Sequence, residues 1–504
     1  MDPQTKKKLP GLGLLSFSTF VVCIAAAFTQ VLSLDLMVDL NSFPSKAYSW
    51  TFPLFIAGEC AAMGLCLAII DRYGRKWPFV IGAFMFMFSS IGCALSTGME
   101  LFLACRFFEG FGAGIVIIVG MAQVFFDIED RKERYLANGI MSLGFGLGML
   151  VGIFLGRAVI DVIGWRIAFW SFAVMLAIIT YPCMKVLENG ERSERKADVP
   201  GGILLAIWST TFVLYLQKLY LDWSIKEPMG QLGLVVVIIL FILFLVAEAF
   251  NPNSVFHRKV DDRKLVAASM IFIVILGIVD MAAVGAMVKI AFFTYQMSVL
   301  EAAPYFVILV LGAAVTAIAI SKTIDRTGHL PWLLLSAVLS PIALLSMQFV
   351  SPDDPSILFA VHLFLLGLAN GCLVSMLNAT IQNRTTVDTN GAYIGFAMML
   401  RTASLWLGYN LYTMAIDAKM REGISDFLAY WNSFLPVQLP ADSNLANLLV
   451  TPLRDLIELL PGLTAKIADV FASGVAESLM LGSILFVVVA IPAAIFLVGR
   501  RKTL

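Results

Sequence analysis

Long apolar segments are the feature that most restricts the fold of this 504-residue chain. Lipid offers no hydrogen-bond partner to a peptide group, so a segment that crosses the hydrocarbon core, about 30 Å thick, has to form about 20 residues of helix. The segments predicted to span the membrane are 14–36, 48–70, 77–96, 101–122, 136–160, 164–186, 200–220, 230–250, 265–288, 302–322, 331–350, 356–377, 392–414 and 475–498. The sequence therefore predicts an all-α integral membrane protein with 14 transmembrane helices.

Composition excludes several other classes of protein. The chain is 60% hydrophobic and 14% charged, against roughly 25% charged in an ordinary soluble domain. A formal net charge of +0 gives no indication of nucleic-acid binding. The seven cysteines lie in predicted spans without paired spacing, which indicates neither a disulfide nor a metal site. Signatures of nucleotide binding and hydrolysis are lacking, so we expect no enzymatic activity and no cofactor.

Basic residues indicate the orientation in the membrane. Lysine and arginine are concentrated at both termini and in every second connection, as in 72–76, 131–134 and 258–264. By the positive-inside rule, we expect a multi-pass protein of the cell membrane with both termini in the cytoplasm. The first span follows Lys6 to Lys8 but lacks a small-residue cleavage site, so we expect it to be retained.

A charged turn occurs twice between apolar segments, with Asp-Arg-x-Gly at 71–74 and again at 325–328. Its glycine permits a positive φ. Its aspartate can cap the N-terminus of the following helix or form an ion pair with an arginine of a neighbouring helix. The positive-inside rule explains the basic residues but not the recurrence, which indicates an internal repeat between the halves of a transporter. We predict a cytoplasmic gate formed by Asp71, Arg72, Gly74, Arg75, Lys76, Asp325, Arg326 and Gly328.

Glycines recur at intervals that leave one face of a helix without side chains, most clearly in the fifth span. A neighbouring helix can approach such a stripe closely. The stripe is explained either by tight packing alone or by a smooth surface on which two helix bundles pivot. The glycines assigned to helix packing are Gly110, Gly114, Gly139, Gly144, Gly148, Gly152 and Gly156.

Several motifs resemble those of one family. DRYGRK (71–76) resembles the signature loop of the major facilitator superfamily, and the fourteen spans resemble its drug:proton antiporter branch. Further resemblance lies in LDLMVDLNSFP (34–44), RFFEG (106–110), GIMSLGFGLGMLVGIFLGR (139–157), GWRIAFW (164–170) and LRTASLWLG (400–408). The chain departs from the antiporter pattern where Ile153 replaces a proline, Arg157 a glycine and Glu109 a glutamine.

The resemblance implies two six-helix bundles, 1–190 and 264–504, with two inserted spans within 191–263. It implies a substrate site near the midplane of the bilayer and alternating access by rocking of the bundles. The charged turns would then hold the cytoplasmic ends together. For the long outer loop 415–474 we expect either an interfacial helix on the outer leaflet, as a lid over the exit or a lipid-facing entrance, or a plain tether.

Charged residues inside the bilayer are costly and therefore are candidates for function. For proton coupling, the candidates are Asp35, Asp39, Arg106 and Glu109. In this hypothesis Asp35, deep in the first span, carries the proton and Arg106 tunes its affinity; alternatively Asp35 pairs permanently with Arg106 or Arg401, and Arg106 and Glu109 simply neutralise each other. As charged residues of the cavity, the candidates are Glu59, Arg157, Asp280 and Arg401.

These patterns favour a monomeric secondary transporter that exports amphipathic small molecules in exchange for protons, with membrane lipid as its surroundings. One alternative is a carrier of organic anions or lipid-like molecules without proton antiport, which the altered antiporter element favours. Another is a membrane receptor that no longer transports.

Overall fold

The fold is described from a computed structural model, over residues 3–40, 46–187, 193–194, 196–254, 260–291, 295, 297, 299–347 and 356–432. Regular structure in these ranges is helical. The helices are α1 (Pro3–Phe28), α2 (Ser33–Asp39), α3 (Thr51–Tyr73), α4 (Lys76–Leu95), α5 (Met99–Asp127), α6 (Glu133–Ile163), α7 (Trp165–Val186), α8 (Val199–Leu221), α9 (Pro228–Phe250), α10 (Arg263–Lys289), α11 (Val299–Thr327), α12 (Leu330–Ser346), α13 (Ser356–Arg384) and α14 (Asn390–Asn432).

The prediction of an all-α membrane protein is confirmed. Ten helices within the described ranges have the length and hydropathy needed to cross a membrane, and Pro331–Ser346 is a shorter apolar helix. Each predicted span up to 392–414 overlaps one of the long helices. The predicted span 475–498 lies outside the described residues.

The first predicted span is not one continuous helix. α1 ends at Phe28, a 3-10 turn covers Thr29–Val31, and α2 begins at Ser33. The break occurs where Arg106 of α5 donates to the Ala25 carbonyl and to Thr29 Oγ1, at 3.4 and 3.3 Å. Because the last four carbonyls of a helix have no intrahelical donor, this arginine stabilises the end of α1. Asp35 therefore lies beyond the break and not deep in the first long helix.

The last described helix is longer than the predicted span of 392–414. α14 continues to Asn432, so the first part of the predicted loop 415–474 is helical. At 1.5 Å per residue, its 43 residues extend about 65 Å, roughly twice the thickness of a hydrocarbon core. The rest of that loop lies outside the described residues.

The two halves of the chain share one packing scheme. In the first half α1 packs on α6, α3 on α5 and α4 on α5; in the second half α10 packs on α14, α11 on α13 and α12 on α13. Between the halves α3 packs on α14, and α11 packs on α6. The same partners thus recur in each half, as an internal repeat requires.

The charged turns lie at one end of this helix bundle, which we call the charged-turn end; we call the opposite end the far end. Gly74 and Gly328 end α3 and α11 with φ of 86° and 69°. The positive φ predicted for both glycines is confirmed, and it lets the chain reverse into the next helix within a few residues.

Helices α8 and α9 pack on one side of the contact between the halves. α8 contacts both α3 and α14. Gln217 Nε2 donates to the Ser49 carbonyl at 3.0 Å, and Trp406 Nε1 of α14 donates to the Val213 carbonyl at 3.3 Å. α9 packs on α8 and exposes many of its apolar side chains, as expected of a lipid-facing helix.

Candidate substrate cavity and inter-half gate

A cavity of about 350 Å³ lies between the two halves. Its walls come from α1, α3, α5 and α6 of the first half and from α10, α11, α13 and α14 of the second. Most of the lining side chains are apolar, among them Phe55, Ile153, Leu309 and Val310. This size and lining are typical of a site for one drug-sized ligand.

Three charged side chains line this cavity. Glu59 of α3, Asp280 of α10 and Arg401 of α14 are only 3%, 8% and 9% exposed. Arg401 Nη2 lies 3.9 Å from Asp280 Oδ2, and the guanidinium carbon is 4.9 Å from the centre of the Phe145 ring. The structure thus brings together three of the four charged residues proposed for the cavity. Arg157 follows Gly156 on α6, and its side chain lies outside what the structure describes.

Glu59 also connects the two halves directly. Thr402 Oγ1 of α14 donates to Glu59 Oε1 at 3.1 Å. The same two helices meet again toward the far end, where the Phe52 and Trp406 rings are 5.7 Å apart. On the other side of the cavity, Phe154 of α6 and Phe306 of α11 have ring centres 4.5 Å apart. Glu59 is therefore a cavity carboxylate whose surroundings change if α3 and α14 separate.

Arg106 and Glu109 lie away from the cavity, inside the first half. They form an ion pair in which both side chains are fully buried. Glu109 also accepts from Ser90 Oγ of α4, and Arg106 Nε donates to the Thr51 carbonyl at 3.3 Å. The pair thus connects α5 to the helix ends around it. This arrangement matches the alternative in which the two charges neutralise each other.

Asp35 and Asp39 do not belong to the cavity lining. Asp35 lies half-buried on α2, beyond the break in the first span. Asp39 Oδ2 accepts from Trp165 Nε1 and from Arg166 Nη1, both at 2.9 Å, at the far end where α7 begins. These two candidates for proton coupling therefore lie apart from the cavity, because the break at Thr29–Val31 places α2 outside the first long helix.

Asp71 of the first charged turn reaches across to the second half. Its Oδ1 accepts from Gly391 N at 2.8 Å, and its Oδ2 accepts from Ala392 N at 3.1 Å. Asp71 therefore caps the start of α14 and not the start of the following helix α4. Asp71 itself lies within α3, which continues to Tyr73, and the N-cap residue of α4 is Arg75.

The other residues of this turn differ in their surroundings. Arg72 Nη1 donates to the Ser193 carbonyl at 3.0 Å. Arg75 is buried within the first half, where Nε donates to Gln123 Oε1 at 2.8 Å and the guanidinium lies over Phe126. Lys76 begins α4.

The second charged turn is more exposed than the first. Asp325 pairs with Lys132, at the start of the first half's α6, and both side chains are at least half exposed. The hydrogen bond and charge of Asp325 raise the pKa of the Lys132 ammonium. Arg326 is also exposed. The two turns therefore both contact the opposite half, but only Asp71 does so through a buried cap.

A polar network at the charged-turn end was not predicted from the sequence. Arg134 Nη1 donates to Asn383 Oδ1 at 3.1 Å, and Asn138 Nδ2 donates to Gln382 Oε1 at 2.6 Å. Gln382 Nε2 in turn donates to the Met121 carbonyl at 2.8 Å. The signal that could have revealed it is the group of amide side chains in the otherwise apolar α13.

His329 follows the second charged turn and contacts the first half. Its Nε2 lies 3.0 Å from the Tyr135 hydroxyl of α6. Burial, with a smaller contribution from the charge of Arg384, lowers the pKa of His329 to about 4. The imidazole is therefore neutral at pH 7, and its Nε2 can accept a hydrogen bond from the tyrosine hydroxyl.

The predicted glycine stripe is the surface on which α1 packs against α6. A Cβ on Gly144, Gly148 or Gly152 would lie 2.2 to 2.5 Å from a carbonyl oxygen of α1. A Cβ on Gly110 or Gly114 would lie 1.9 or 2.6 Å from a carbonyl oxygen of α3. A Cβ on Gly139 would lie 3.0 Å from the Cβ of Ala317 in the second half. Gly156 is buried on the same helix. Most of these glycines therefore permit close packing inside the first half, and Gly139 does so between the halves.

Comparison with known proteins identifies the family. The model of the Major Facilitator Superfamily matches residues 15–409. The chain belongs to this superfamily. Superfamily members are transporters, so the cavity between the halves is the candidate substrate site of a multi-pass membrane transporter.

Relatives within the Major Facilitator Superfamily include proteins named for drug resistance. Multidrug resistance protein 3 of Bacillus subtilis (strain 168) is 23% identical over 395 residues, which are 75% of this chain and 73% of that protein. Multidrug resistance protein MdtL of Escherichia coli O9:H4 (strain HS) is 30% identical over 166 residues, 32% of this chain and 41% of that protein. The solved proton:xylose symporter XylE has a TM-score of 0.59 at 13% identity, covering 98% of this chain and 96% of that one. At this low sequence identity, the similarity to XylE shows that the two proteins share a fold.

Proposed function

We propose that this transporter exports amphipathic small molecules from the cytoplasm in exchange for protons, by alternating access. The observation that carries the proposal is the apolar cavity between the halves with Glu59, Asp280 and Arg401 in its wall. Apolar walls bind the body of such a molecule, and buried charges orient its polar end. The names of the drug-resistance relatives support the same substrate class.

In this proposal, Glu59 carries the proton. Its carboxylate accepts from Thr402 across the contact between α3 and α14, so it occupies the interface that has to open and close. A protonated Glu59 no longer attracts Arg401, and its hydroxyl donates a hydrogen bond where the carboxylate only accepts. Protonation therefore changes the attraction between the halves, which is the requirement for coupling.

The charged-turn end is cytoplasmic in this proposal, with both termini on that side of the cell membrane. The Asp71 cap on α14 then holds the cytoplasmic ends of the halves together. Both halves of one chain supply the described cavity lining, and in this proposal a monomer surrounded by lipid carries out transport.

The test is proton movement in liposomes that contain the purified protein and an internal pH-sensitive dye. Rhodamine 6G (a cation), anilinonaphthalene sulfonate (an anion) and naphthylalanine (a zwitterion) are the added probes. We expect at least one probe to cause proton flux with the wild type and with Glu100→Gln, an exposed control on α5, but not with Glu59→Gln. Probe transport without proton flux, or equal flux in Glu59→Gln, would contradict the proposal.

A second candidate function is a carrier of organic anions or lipid-like molecules without proton antiport. Arg401 favours it, because this cation lines the cavity and its Nε has no hydrogen-bond partner among the described residues. In that case the anionic probe equilibrates across the membrane at a rate that neither a proton gradient nor Glu59→Gln alters.

A further inference from the structure

Unpartnered polar atoms in the cavity belong to the second half. Arg401 Nε, Asp280 Oδ1 and Asn370 Oδ1 are buried, and within the described part of the chain none has a hydrogen-bond partner. All three residues line the cavity. Buried polar groups in proteins nearly always have partners, and leaving one unpaired is costly. Their position around a cavity therefore indicates a ligand that supplies what they lack.

Asp280 and Arg401 are not joined by a hydrogen bond. The Nη2 to Oδ2 distance of 3.9 Å is longer than a hydrogen bond. The Arg401 and Asp280 side chains are only 11% and 12% exposed, yet Arg401 keeps an unused donor and Asp280 an unused acceptor. The charges attract each other, but their hydrogen bonding remains unsatisfied.

The missing partners define the head group of the ligand. Arg401 requires an acceptor, best a carboxylate, and Asp280 requires a donor, best an ammonium group. A cation alone would leave Arg401 without an acceptor and would face its positive charge. An anion alone would face the carboxylates of Asp280 and Glu59. A head group that carries both charges a few ångströms apart satisfies both residues.

We infer that the preferred substrates are amphipathic zwitterions, bound with the anionic group on Arg401 and the cationic group on Asp280. Their apolar body would lie among side chains such as Phe55, Ile153 and Val310. The inference rests on the proposed function, because it names the substrate class of the same cavity. Glu59 remains available for the proton, since the head group uses the other two charges.

The experiment measures equilibrium binding of four compounds that share one naphthyl body to the purified full chain in lipid nanodiscs. Their head groups are zwitterionic, cationic, anionic and neutral in naphthylalanine, naphthylethylamine, naphthylpropionate and naphthylpropionamide. We expect naphthylalanine to bind about tenfold or more tightly than each of the others, since two charge-assisted contacts replace one or none.

Two variants test which residue binds which group. Arg401→Gln is expected to reduce naphthylalanine affinity to that of naphthylethylamine, and Asp280→Asn to that of naphthylpropionate. Because removing one member of a buried pair can impair folding, the double variant Asp280→Asn/Arg401→Gln is measured as well. It removes the pair as a whole, and because Glu59 remains in the cavity wall it should bind naphthylalanine no more tightly than naphthylethylamine.

Preference of the wild type for the amine or the carboxylate would overturn the inference, and so would equal affinity for all four head groups. Unchanged selectivity in the double variant would also overturn it. The proposed function fails separately: a protein that prefers naphthylalanine but moves no protons with any probe would contradict proton-coupled export and leave the zwitterion site standing.

Discussion

The Asp71 carboxylate accepts a hydrogen bond from the backbone N–H of Gly391 at 2.8 Å, across 320 residues of chain. This contact and the neighbouring one to Ala392 place a negative charge at the start of α14. Backbone N–H groups at the first turn of a helix have no intrahelical partner and carry partial positive charge. The contact therefore stabilises the state in which the halves meet at the charged-turn end.

Asp71→Asn is expected to weaken this contact by about 1–2 kcal/mol, because the amide keeps one acceptor but loses the charge. The charged-turn end should then open more often. Spin labels at Arg131→Cys and Lys322→Cys, in a background without native cysteines, measure this opening by electron paramagnetic resonance. The distance between the labels should be longer in Asp71→Asn than with Asp71 intact. The matched control is Asp325→Asn in the second turn, whose exposed pair with Lys132 should contribute little. Equal effects of the two variants would contradict this difference between the turns.

The contact between His329 and Tyr135 predicts a dependence on pH. The pKa of His329 is lowered to about 4 in this structure, against about 6.5 for a free histidine. The neutral imidazole therefore stabilises this state fully above pH 6.5, and the stabilisation is lost as the pH falls toward 4. The spin-label distance should lengthen over this interval in the wild type. In His329→Gln the lengthening of the spin-label distance between pH 6.5 and 4 should be absent. If the variant lengthens over the same pH interval as the wild type, His329 is not the source of the pH dependence.

Close packing of α1 on α6 predicts a difference between two neighbouring glycines. Gly148→Ala would place its Cβ 2.5 Å from the Phe20 carbonyl oxygen, and such overpacking costs about 1–3 kcal/mol. Gly146 has no atom within 4 Å of a Cβ position, so Gly146→Ala should stabilise the helix by about 0.5–1 kcal/mol or leave stability unchanged. Thermal unfolding of both variants in detergent checks this order. A lower unfolding temperature for Gly146→Ala than for Gly148→Ala would refute it.

The buried pair of Arg106 and Glu109 predicts that each single neutral variant is worse than the double variant. Arg106→Gln leaves Glu109 charged and unpaired, which costs about 3–5 kcal/mol. The double variant Arg106→Gln/Glu109→Gln should recover part of this stability, although the contacts of Arg106 to α1 remain lost. The liposome assay then separates the two roles of the pair. Proton flux that persists in the double variant supports a structural role, whereas a folded double variant without flux would support the coupling role predicted from the sequence.

The sequence by itself determined the elements that depend on local chemistry. Apolar segments without hydrogen-bond partners in lipid have to be helices, so the positions of the described spans followed directly. The recurrence of Asp-Arg-x-Gly revealed the internal repeat, because Gly74 and Gly328 fulfil the same requirement for positive φ. Charged residues in apolar segments were a partial guide to the cavity, since Glu59, Asp280 and Arg401 line it whereas Arg106 and Glu109 pair inside the first half.

Only the tertiary structure decided which of these charges meet. Glu59, Asp280 and Arg401 come from three helices far apart in the chain, and helical periodicity carries no information on contacts over such separations. For the same reason the partner of Asp71 proved to be α14, and Asp39 proved to pair with Arg166. At the break after Phe28, the carbonyl of Ala25 accepts from Arg106, a side chain of another helix. Local sequence fixes a helix through hydrogen bonds within it, whereas a site between helices is fixed by packing across the whole chain.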